Sequence, residues 1–191
     1  MTHHPVLEAI HSRRLAGKEA QRNQVWQVVT RHYSQRWIKT ADTVLDLGVG
    51  YCELVNNIQA ARKYTLDLDP VTPLKAANDV VVFSEDVAKS CPPASESVNV
   101  VFSSNFFEHL PTKQDFKHRL SDIYWVLCSQ GLLIAPGPSI RFAYDVSWDF
   151  FDHYLPLSDQ LVVEATEFAG FGTEFVVPGF LPSTMQGKLP S

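Results

Sequence analysis

The chain has 191 residues, of which 45% are hydrophobic and 19% charged, and its formal net charge is −5. This composition is ordinary for a globular protein, and the length suits one domain with a sizeable core. No apolar run approaches the roughly 20 residues that span a bilayer, and the polar N-terminus lacks the apolar segment of a signal peptide. We therefore expect a cytoplasmic protein without a membrane span.

Charge is distributed unevenly along the chain. Residues 1–40 contain seven Lys and Arg against Glu8 and Glu19, a balance of +5, so the remaining residues carry −10. No Lys or Arg lies between Arg141 and Lys188. Two interpretations stay open: the basic arm packs near the acidic tail, or the site faces a neutral or cationic substrate. Both disfavour nucleic acid as a partner, because a polyanion-binding site usually carries a basic stripe.

Helix-like and strand-like segments alternate along the chain. Their periodicity predicts helices over 6–17 and 20–38, then over 52–61 and 113–127, and a last one, capped by Ser158, to about Ala169. Strands are predicted over 43–47, 63–68, 80–83, 98–103, 132–135 and 172–177. A dense aromatic loop, 148–156, precedes the last helix. This alternation predicts a largely parallel, doubly wound sheet.

Two glycines, Gly48 and Gly50, follow the first predicted strand within the stretch V-L-D-L-G-V-G-Y-C-E, residues 44–53. They let the backbone turn sharply at the edge of the sheet where ligands bind. A dinucleotide-binding turn has a third glycine where this chain has Glu53, whose carboxylate would repel a pyrophosphate. Together with Asp46 before the turn, Glu53 favours a ligand that offers cationic or hydroxyl groups.

The motif D-L-G-V-G-Y-C resembles the first motif of the class I S-adenosylmethionine-dependent methyltransferases, with Cys52 at its last glycine position. The resemblance extends to about residue 182 through V-F-S-S-N-F-F-E-H-L and I-Y-W-V-L-C-S-Q-G-L-L-I-A-P. With W-D-F-F-D-H-Y-L-P-L, these stretches look like a bacterial subgroup of unknown substrate. The resemblance implies a Rossmann-like, mostly parallel sheet. Because the Pro- and Gly-rich residues after Val177 do not read as a strand, we expect the final antiparallel strand to be missing.

The resemblance also implies S-adenosylmethionine as the cofactor. Asp46 would organise the pocket around its amino-acid end, and Asp67, rather than Asp69, would accept hydrogen bonds from the ribose hydroxyls. Asp86 would hold the adenine amino group while Val87 lines the ring. Glu53 either borders the cofactor or favours the N-terminus of the following helix. The implied cofactor-binding set is Asp46, Gly48, Gly50, Glu53, Asp67, Leu68, Asp86, Val87 and Asn105.

The candidate catalytic residues are Glu108, His109 and His153. Methyl transfer to oxygen or nitrogen can require a base, and a histidine titrates near neutral pH. The alternative is that both histidines only hold the loop in place, and the aromatic residues of 148–156 form either an acceptor pocket or a packed lid. A metal site of His109, Asp152 and His153 is not expected, because no local ligand spacing supports one.

The sequence therefore predicts one domain, with a helical extension (1–40), a Rossmann-like core (41–182) and a tail (183–191). Its predicted function is methyl transfer from S-adenosylmethionine to a small-molecule or metabolite acceptor, releasing S-adenosylhomocysteine. The alternative is an S-adenosylmethionine-binding regulatory protein that lost catalysis with its last strand. A nicotinamide-dependent dehydrogenase is disfavoured by Asp46 and Glu53. The sheet edge left by the missing strand motivates a homodimer.

Overall fold

A computed structural model describes residues 17–85 and 92–180. The predicted helix over 6–17 lies outside this range except for Gly17, as does the predicted tail. The described chain divides into two compact units, the first within Met1–Ser104 and Trp125–Ala135 and the second within Asn105–Tyr124 and Pro136–Ser191. The predicted division into extension, core and tail stays a prediction. No helix in the described ranges has both the length and the apolar character needed to cross a membrane.

The described part of the first unit is built on a sheet of five parallel strands. They are β1 (Thr43–Leu47), β2 (Arg62–Leu66), β3 (Val80–Phe83), β4 (Val98–Ser103) and β5 (Leu127–Ile134), in the order β3-β2-β1-β4-β5. The order reverses at β1, which pairs with β2 on one side and β4 on the other. Ligands of such sheets bind beyond the carboxyl ends of the strands at this reversal. The parallel sheet is as predicted.

The helices of the first unit are shorter than predicted. α1 (Glu19–His32) ends before a 3-10 turn at Ser34–Arg36, instead of running to residue 38. α2 (Glu53–Asn57) ends four residues before the predicted limit: the Asn57 side-chain amide donates to the Glu53 carbonyl oxygen at 2.7 Å, and Ile58 is extended. α3 (Thr72–Lys75) is a single turn. The unit's core contains Ile38, Val44, Leu54, Ile58, Val100 and Phe102.

β5 begins five residues earlier than predicted. Its residue Leu127 already pairs with Val98, but Leu132 pairs with Val100, so the strand contains an irregularity between these pairs. Gln130, with φ of 64°, and Gly131 lie within it. A Cβ on Gly131 would come within 2.9 Å of the Cys128 carbonyl oxygen. Gln130 and Gly131 therefore form a bulge inside the strand.

The second unit is helical where it is described. It contains a 3-10 turn (Phe107–His109), most of α4 (Lys113–Val126), α5 (Ile140–Ser147) and α6 (Asp159–Phe168). The Ser158 hydroxyl accepts a hydrogen bond from the Leu161 amide at 3.2 Å, which confirms the predicted cap. The predicted strand over 172–177 is wrong, since these residues form no strand. Strand propensity alone does not form a strand, because a strand also depends on pairing and packing with its neighbours.

Candidate functional site

The turn between β1 and α2 has a left-handed backbone at alternate residues. Gly48, Gly50 and Cys52 have φ of 66°, 54° and 62°. This conformation is free for glycine but costs other residues about 1–2 kcal/mol. Cys52 therefore keeps the backbone of the glycine that the motif has at its position. Its side chain is fully buried, with Sγ 3.7 Å from the Thr72 carbonyl oxygen.

Asp67 fastens this turn to the end of β2. Its carboxylate accepts hydrogen bonds from the Gly50 amide at 3.0 Å and from the Asp69 amide at 2.8 Å. Burial raises the pKa of Asp67, and these two hydrogen bonds oppose that rise. A carboxylate has about four acceptor positions, so two hydrogen bonds leave room for ligand hydroxyls. Leu68 follows Asp67 directly in the chain.

Asp46, Glu53 and Asp67 form an acidic cluster at the turn. Asp46 lies in β1, Glu53 begins α2, and Asp67 follows β2. Burial raises the pKa of Asp46 well above its usual range, and the charges of Asp67 and Glu53 raise it further, while a hydrogen bond from the Val55 backbone opposes them. The acidic cluster therefore favours a ligand that brings positive charge or hydroxyl donors.

Arg22 is a residue of this site that the sequence analysis missed. Its Nε donates to Glu53 Oε1 at 2.7 Å, and the two side chains are 25% and 10% exposed. A second ion pair, between Lys75 and Glu19 at 2.9 Å, also joins α1 to this region. The one sequence signal was the basic excess of residues 1–40. Glu53 thus has a protein partner in addition to its place at the start of α2.

The predicted catalytic residues lie together in the second unit. Glu108 and His109 belong to the 3-10 turn, and His153 lies in the aromatic loop. The backbone amides of Tyr154 and Leu155 donate to the Glu108 carbonyl oxygen at 2.8 and 3.1 Å, which fastens the loop to the turn. The rings of His109 and His153 pack edge to face, with their centroids 4.9 Å apart. The fold therefore brings His153 beside Glu108 and His109, which lie more than 40 positions earlier in the sequence.

Asp152 orients the imidazole of His109. The Asp152 carbonyl oxygen is 2.8 Å from His109 Nδ1, and its carboxylate is 3.4 Å away. A carbonyl oxygen only accepts hydrogen bonds, so Nδ1 carries the hydrogen. In the neutral ring the lone pair is then on Nε2. His109 therefore has a defined tautomer with its basic nitrogen on the other side of the ring.

Glu108 is a buried carboxylate beside these histidines. It is 2% exposed, and burial raises its pKa to about 7, an effect that its own backbone N–H opposes and the charge of Asp152 reinforces. One ligand atom from each of Glu108, His109 and His153 lies within 4.8 Å of the others. This group is equipped to exchange a proton near neutral pH or to hold a cation.

Three further residues were predicted to bind the cofactor: Asp86, Val87 and Asn105. Asp86 and Val87 lie outside the described residues. Asn105 lies in the second unit with φ of 49°, and its amide donates to the Pro136 carbonyl oxygen at 3.0 Å. Asparagine is one of the few residues that adopts this backbone readily. The predicted roles of these three residues stay predictions.

Residues 45–135 match the family model described as a methyltransferase domain, from within β1 to just after β5. The chain carries a methyltransferase domain. The match includes the glycine turn and Asp67, and the resemblance found in the sequence is confirmed at the level of this family. Comparison with curated proteins gives no match.

Solved structures share the fold of this methyltransferase. A SAM-dependent methyltransferase from Archaeoglobus fulgidus is 20% identical, with a TM-score of 0.67 over 81% of this chain and 72% of that one. Another from Thermotoga maritima is 14% identical, with a TM-score of 0.65 over 85% and 81%. A chain from the Haloferax volcanii complex of the Trm112 methyltransferase activator with a methyltransferase is 20% identical, with a TM-score of 0.61 over 78% and 72%. The predicted class I fold is confirmed.

Proposed function

We propose that this methyltransferase binds S-adenosylmethionine at the acidic cluster and methylates a small-molecule or metabolite-sized acceptor, releasing S-adenosylhomocysteine. The observation that carries the proposal is the meeting of Asp46 and Asp67 at a left-handed glycine turn. S-adenosylmethionine brings an ammonium group, a sulfonium and two ribose hydroxyls, which complement buried carboxylates. A pyrophosphate would instead meet like charge.

Each carboxylate of the acidic cluster has a distinct proposed role. Asp67, positioned by two backbone amides, accepts the ribose hydroxyls. Asp46 favours the end of the cofactor that carries the ammonium group, because a cation there offsets the burial and the repulsion from Asp67 and Glu53 that raise the pKa of Asp46. Glu53 acts through its ion pair with Arg22, which holds α1 against α2 at the turn. Gly48 and Gly50 border the cofactor, with Leu68 next to Asp67.

The remaining assignments are proposed from the resemblance in the sequence. Asp86 would hold the adenine amino group, Val87 would line its ring, and Asn105 would contact the cofactor. On the acceptor side, we assign Glu108, His109 and His153. The cofactor supplies a methyl group on sulfur, and aligning an acceptor with it supplies much of the acceleration. His109 is suited to take the acceptor's proton, since its hydrogen bond to Asp152 puts the lone pair on Nε2.

Titration calorimetry with S-adenosylmethionine, and separately with NAD, tests the proposal. We expect binding of S-adenosylmethionine and of S-adenosylhomocysteine without measurable binding of NAD. Binding of NAD alone, or of neither, would refute the cofactor assignment. Release of S-adenosylhomocysteine with a panel of oxygen and nitrogen acceptors then tests catalysis. Protein that binds the cofactor but cannot methylate any acceptor would favour the regulatory alternative, which the absence of a strand after β5 in the described residues also favours.

We also propose a homodimer, supported by the position of β5. In the described sheet β5 forms an edge and pairs only with β4. An open edge strand exposes backbone groups that another chain can pair with. A protein partner is a second candidate, since one structural neighbour is a complex of a methyltransferase with an activator. Light scattering at micromolar concentration should give twice the chain mass; a monomer would refute the homodimer.

Nucleic acid stays disfavoured, and a cytoplasmic location stays a prediction.

A further inference from the structure

We propose that Glu108, His109 and His153 bind one divalent first-row transition-metal ion, such as Zn²⁺. These three residues, here named the ligand cluster, lie entirely within the second unit. Their ligand atoms come from the 3-10 turn and from the aromatic loop, 44 residues apart in the sequence. Local spacing therefore could not reveal them, and the expectation of no metal site rested on local spacing alone.

The donor set fits such an ion. Two imidazole nitrogens and one carboxylate are the protein ligands of many zinc and iron sites, which leave further positions open for water or substrate. The three ligand atoms lie within 4.8 Å of one another. In a tetrahedral site with bonds of about 2.1 Å, ligand atoms are about 3.4 Å apart. Small rotations of the two rings and the carboxylate therefore suffice to close the ligand cluster around an ion.

His109 is held as a metal ligand usually is. Metal-binding histidines almost always donate their second ring N–H to a carbonyl or carboxylate, which fixes the tautomer and directs the other nitrogen to the ion. Here His109 Nδ1 lies 2.8 Å from the Asp152 carbonyl oxygen and 3.4 Å from its carboxylate. The hydrogen therefore stays on Nδ1 and the lone pair on Nε2. Asp152 is the positioning residue of this ligand.

The ligand cluster is also anchored before any ion binds. The Glu108 carbonyl oxygen accepts two backbone hydrogen bonds from the aromatic loop, and Phe150 stacks on the His153 ring at 4.8 Å. Glu108 is 2% exposed, so its carboxylate is withdrawn from water. A buried carboxylate is costly unless it is paired or coordinates a metal. A cation at this point would offset that cost.

The cation site goes beyond the proposed function and does not depend on it. With an ion bound, His109 would serve as a ligand instead of a base. The ion would then favour ionisation of a coordinated hydroxyl, because a bound cation lowers the pKa of its oxygen ligands. Cofactor binding by the acidic cluster involves other residues, in the first unit. Cofactor binding and the cation site therefore stand or fall separately, whereas the proposed base role of His109 would not hold with the ion bound.

Cobalt titration of chelator-treated full-length protein tests the site. His3 and His4 are replaced by alanine in all samples, because neighbouring histidines can bind metals without a site. We expect one Co²⁺ per chain, with visible absorption typical of nitrogen ligation, and competition by Zn²⁺. Glu108→Gln, His109→Asn and His153→Asn should each weaken binding by more than about 100-fold, since losing one hydrogen-bond partner of a ligand already costs about 10–100-fold.

The matched control is His118→Asn, which removes an exposed histidine of α4 in the same unit. It should bind cobalt like its parent. Failure of the parent to bind cobalt, or undiminished binding by His109→Asn and His153→Asn, would overturn the proposal. A second readout needs no variant in the ligand cluster: Co²⁺ should shift or broaden the imidazole NMR signals of His109 and His153 and leave those of His32 and His118 unchanged. Calorimetry with S-adenosylmethionine on the same sample reports the cofactor site independently.

Discussion

The backbone amide of Gly50 donates a hydrogen bond to the carboxylate of Asp67 at 3.0 Å. This contact joins the turn after β1 to the end of β2, so the residue proposed to bind the ribose also supports the shape of the glycine turn. A second amide, from Asp69, holds the same carboxylate at 2.8 Å. Because the carboxylate is oriented before the cofactor arrives, less ordering entropy is lost on binding.

Asp67→Ala is expected to weaken binding of S-adenosylmethionine by about 10- to 100-fold. The substitution removes hydrogen bonds to a charged acceptor, and losing them costs about 1.5–3 kcal/mol of binding free energy. Titration calorimetry measures this, with circular dichroism to verify the fold. Asp69→Ala is the matched control, because Asp69 offers the competing carboxylate two residues along. Its affinity should stay near that of the wild type. A loss confined to Asp69→Ala would transfer the ribose assignment to Asp69.

Strand limits were predictable where burial alone decides them. The limits of β1 and β4 agree with their apolar runs, since residues buried in a parallel sheet leave a continuous hydrophobic signal. The limits of β3 also agree with its apolar run, although β3 lies at the edge of the sheet and is only partly buried. The end of α2 was not predictable. The Asn56 side-chain amide donates to the Lys75 carbonyl oxygen at 2.8 Å, and its side-chain oxygen accepts a hydrogen bond from the Ala77 backbone amide at 2.9 Å. These partners lie about 20 positions along the chain, so a local sequence pattern does not contain them.

The same distinction separates the parts of the site. The glycine turn and Asp67 were predictable because each directly follows a strand, and parallel strands end at one edge of the sheet. The Arg22–Glu53 and His109–Asp152 contacts join residues 31 and 43 positions apart, so only the fold reveals them. The strand predicted over residues 172–177 is wrong for a different reason. Phe175, Val176 and Val177 favour strands, but strand propensity alone does not form a sheet.

Arg22→Ala should destabilise the protein by about 1–2 kcal/mol, because it leaves the largely buried Glu53 carboxylate beside Asp46 and Asp67 without its charged hydrogen bond. Urea unfolding of Arg22→Ala, Glu53→Gln and the double variant gives the coupling energy. The control is Lys75→Ala, whose ion pair with Glu19 is more exposed and should contribute less than about 0.5 kcal/mol. Strictly additive effects of the Arg22 and Glu53 changes would contradict the expected coupling.

The Cys52 thiol should resist alkylation in the folded protein. Burial raises its pKa to about 12, with the charges of Asp46, Asp67 and Glu53 adding to the rise, so the reactive thiolate is scarce at about pH 8. Iodoacetamide labelling followed by peptide mass spectrometry should modify the half-buried Cys128 and spare Cys52. In urea both should react. Equal labelling of the two in the folded state would show that Cys52 is accessible.

Cys52→Gly should be at least as stable as Cys52→Ala, although it removes one more buried carbon. The φ of 62° at this position costs about 1–2 kcal/mol for any residue with a Cβ, and glycine avoids that cost. Glycine also gains entropy in the unfolded chain, which offsets about 0.4–1 kcal/mol of the benefit. Urea unfolding of both variants measures the balance. A clearly less stable glycine variant would show that packing of the Cβ outweighs the backbone strain.

The stability that Asp46 contributes should fall as the pH rises. Burial and the charges of Asp67 and Glu53 raise its pKa above 3.8 in the folded protein, so above pH 3.8 the folded state retains a proton that the unfolded state has lost. The free energy of unfolding of the wild type minus that of Asp46→Asn should therefore be larger at about pH 5 than at about pH 8. Urea unfolding at both values measures it. Asp79→Asn is the control. The hydrogen bond from Lys63 lowers the pKa of Asp79, so this carboxylate is ionised in the folded and the unfolded protein at both pH values. The free energy of unfolding of the wild type minus that of Asp79→Asn should therefore be the same at about pH 5 and about pH 8. A pH-independent difference for Asp46→Asn would mean that the Asp46 carboxyl ionises as readily in the folded protein as in the unfolded chain.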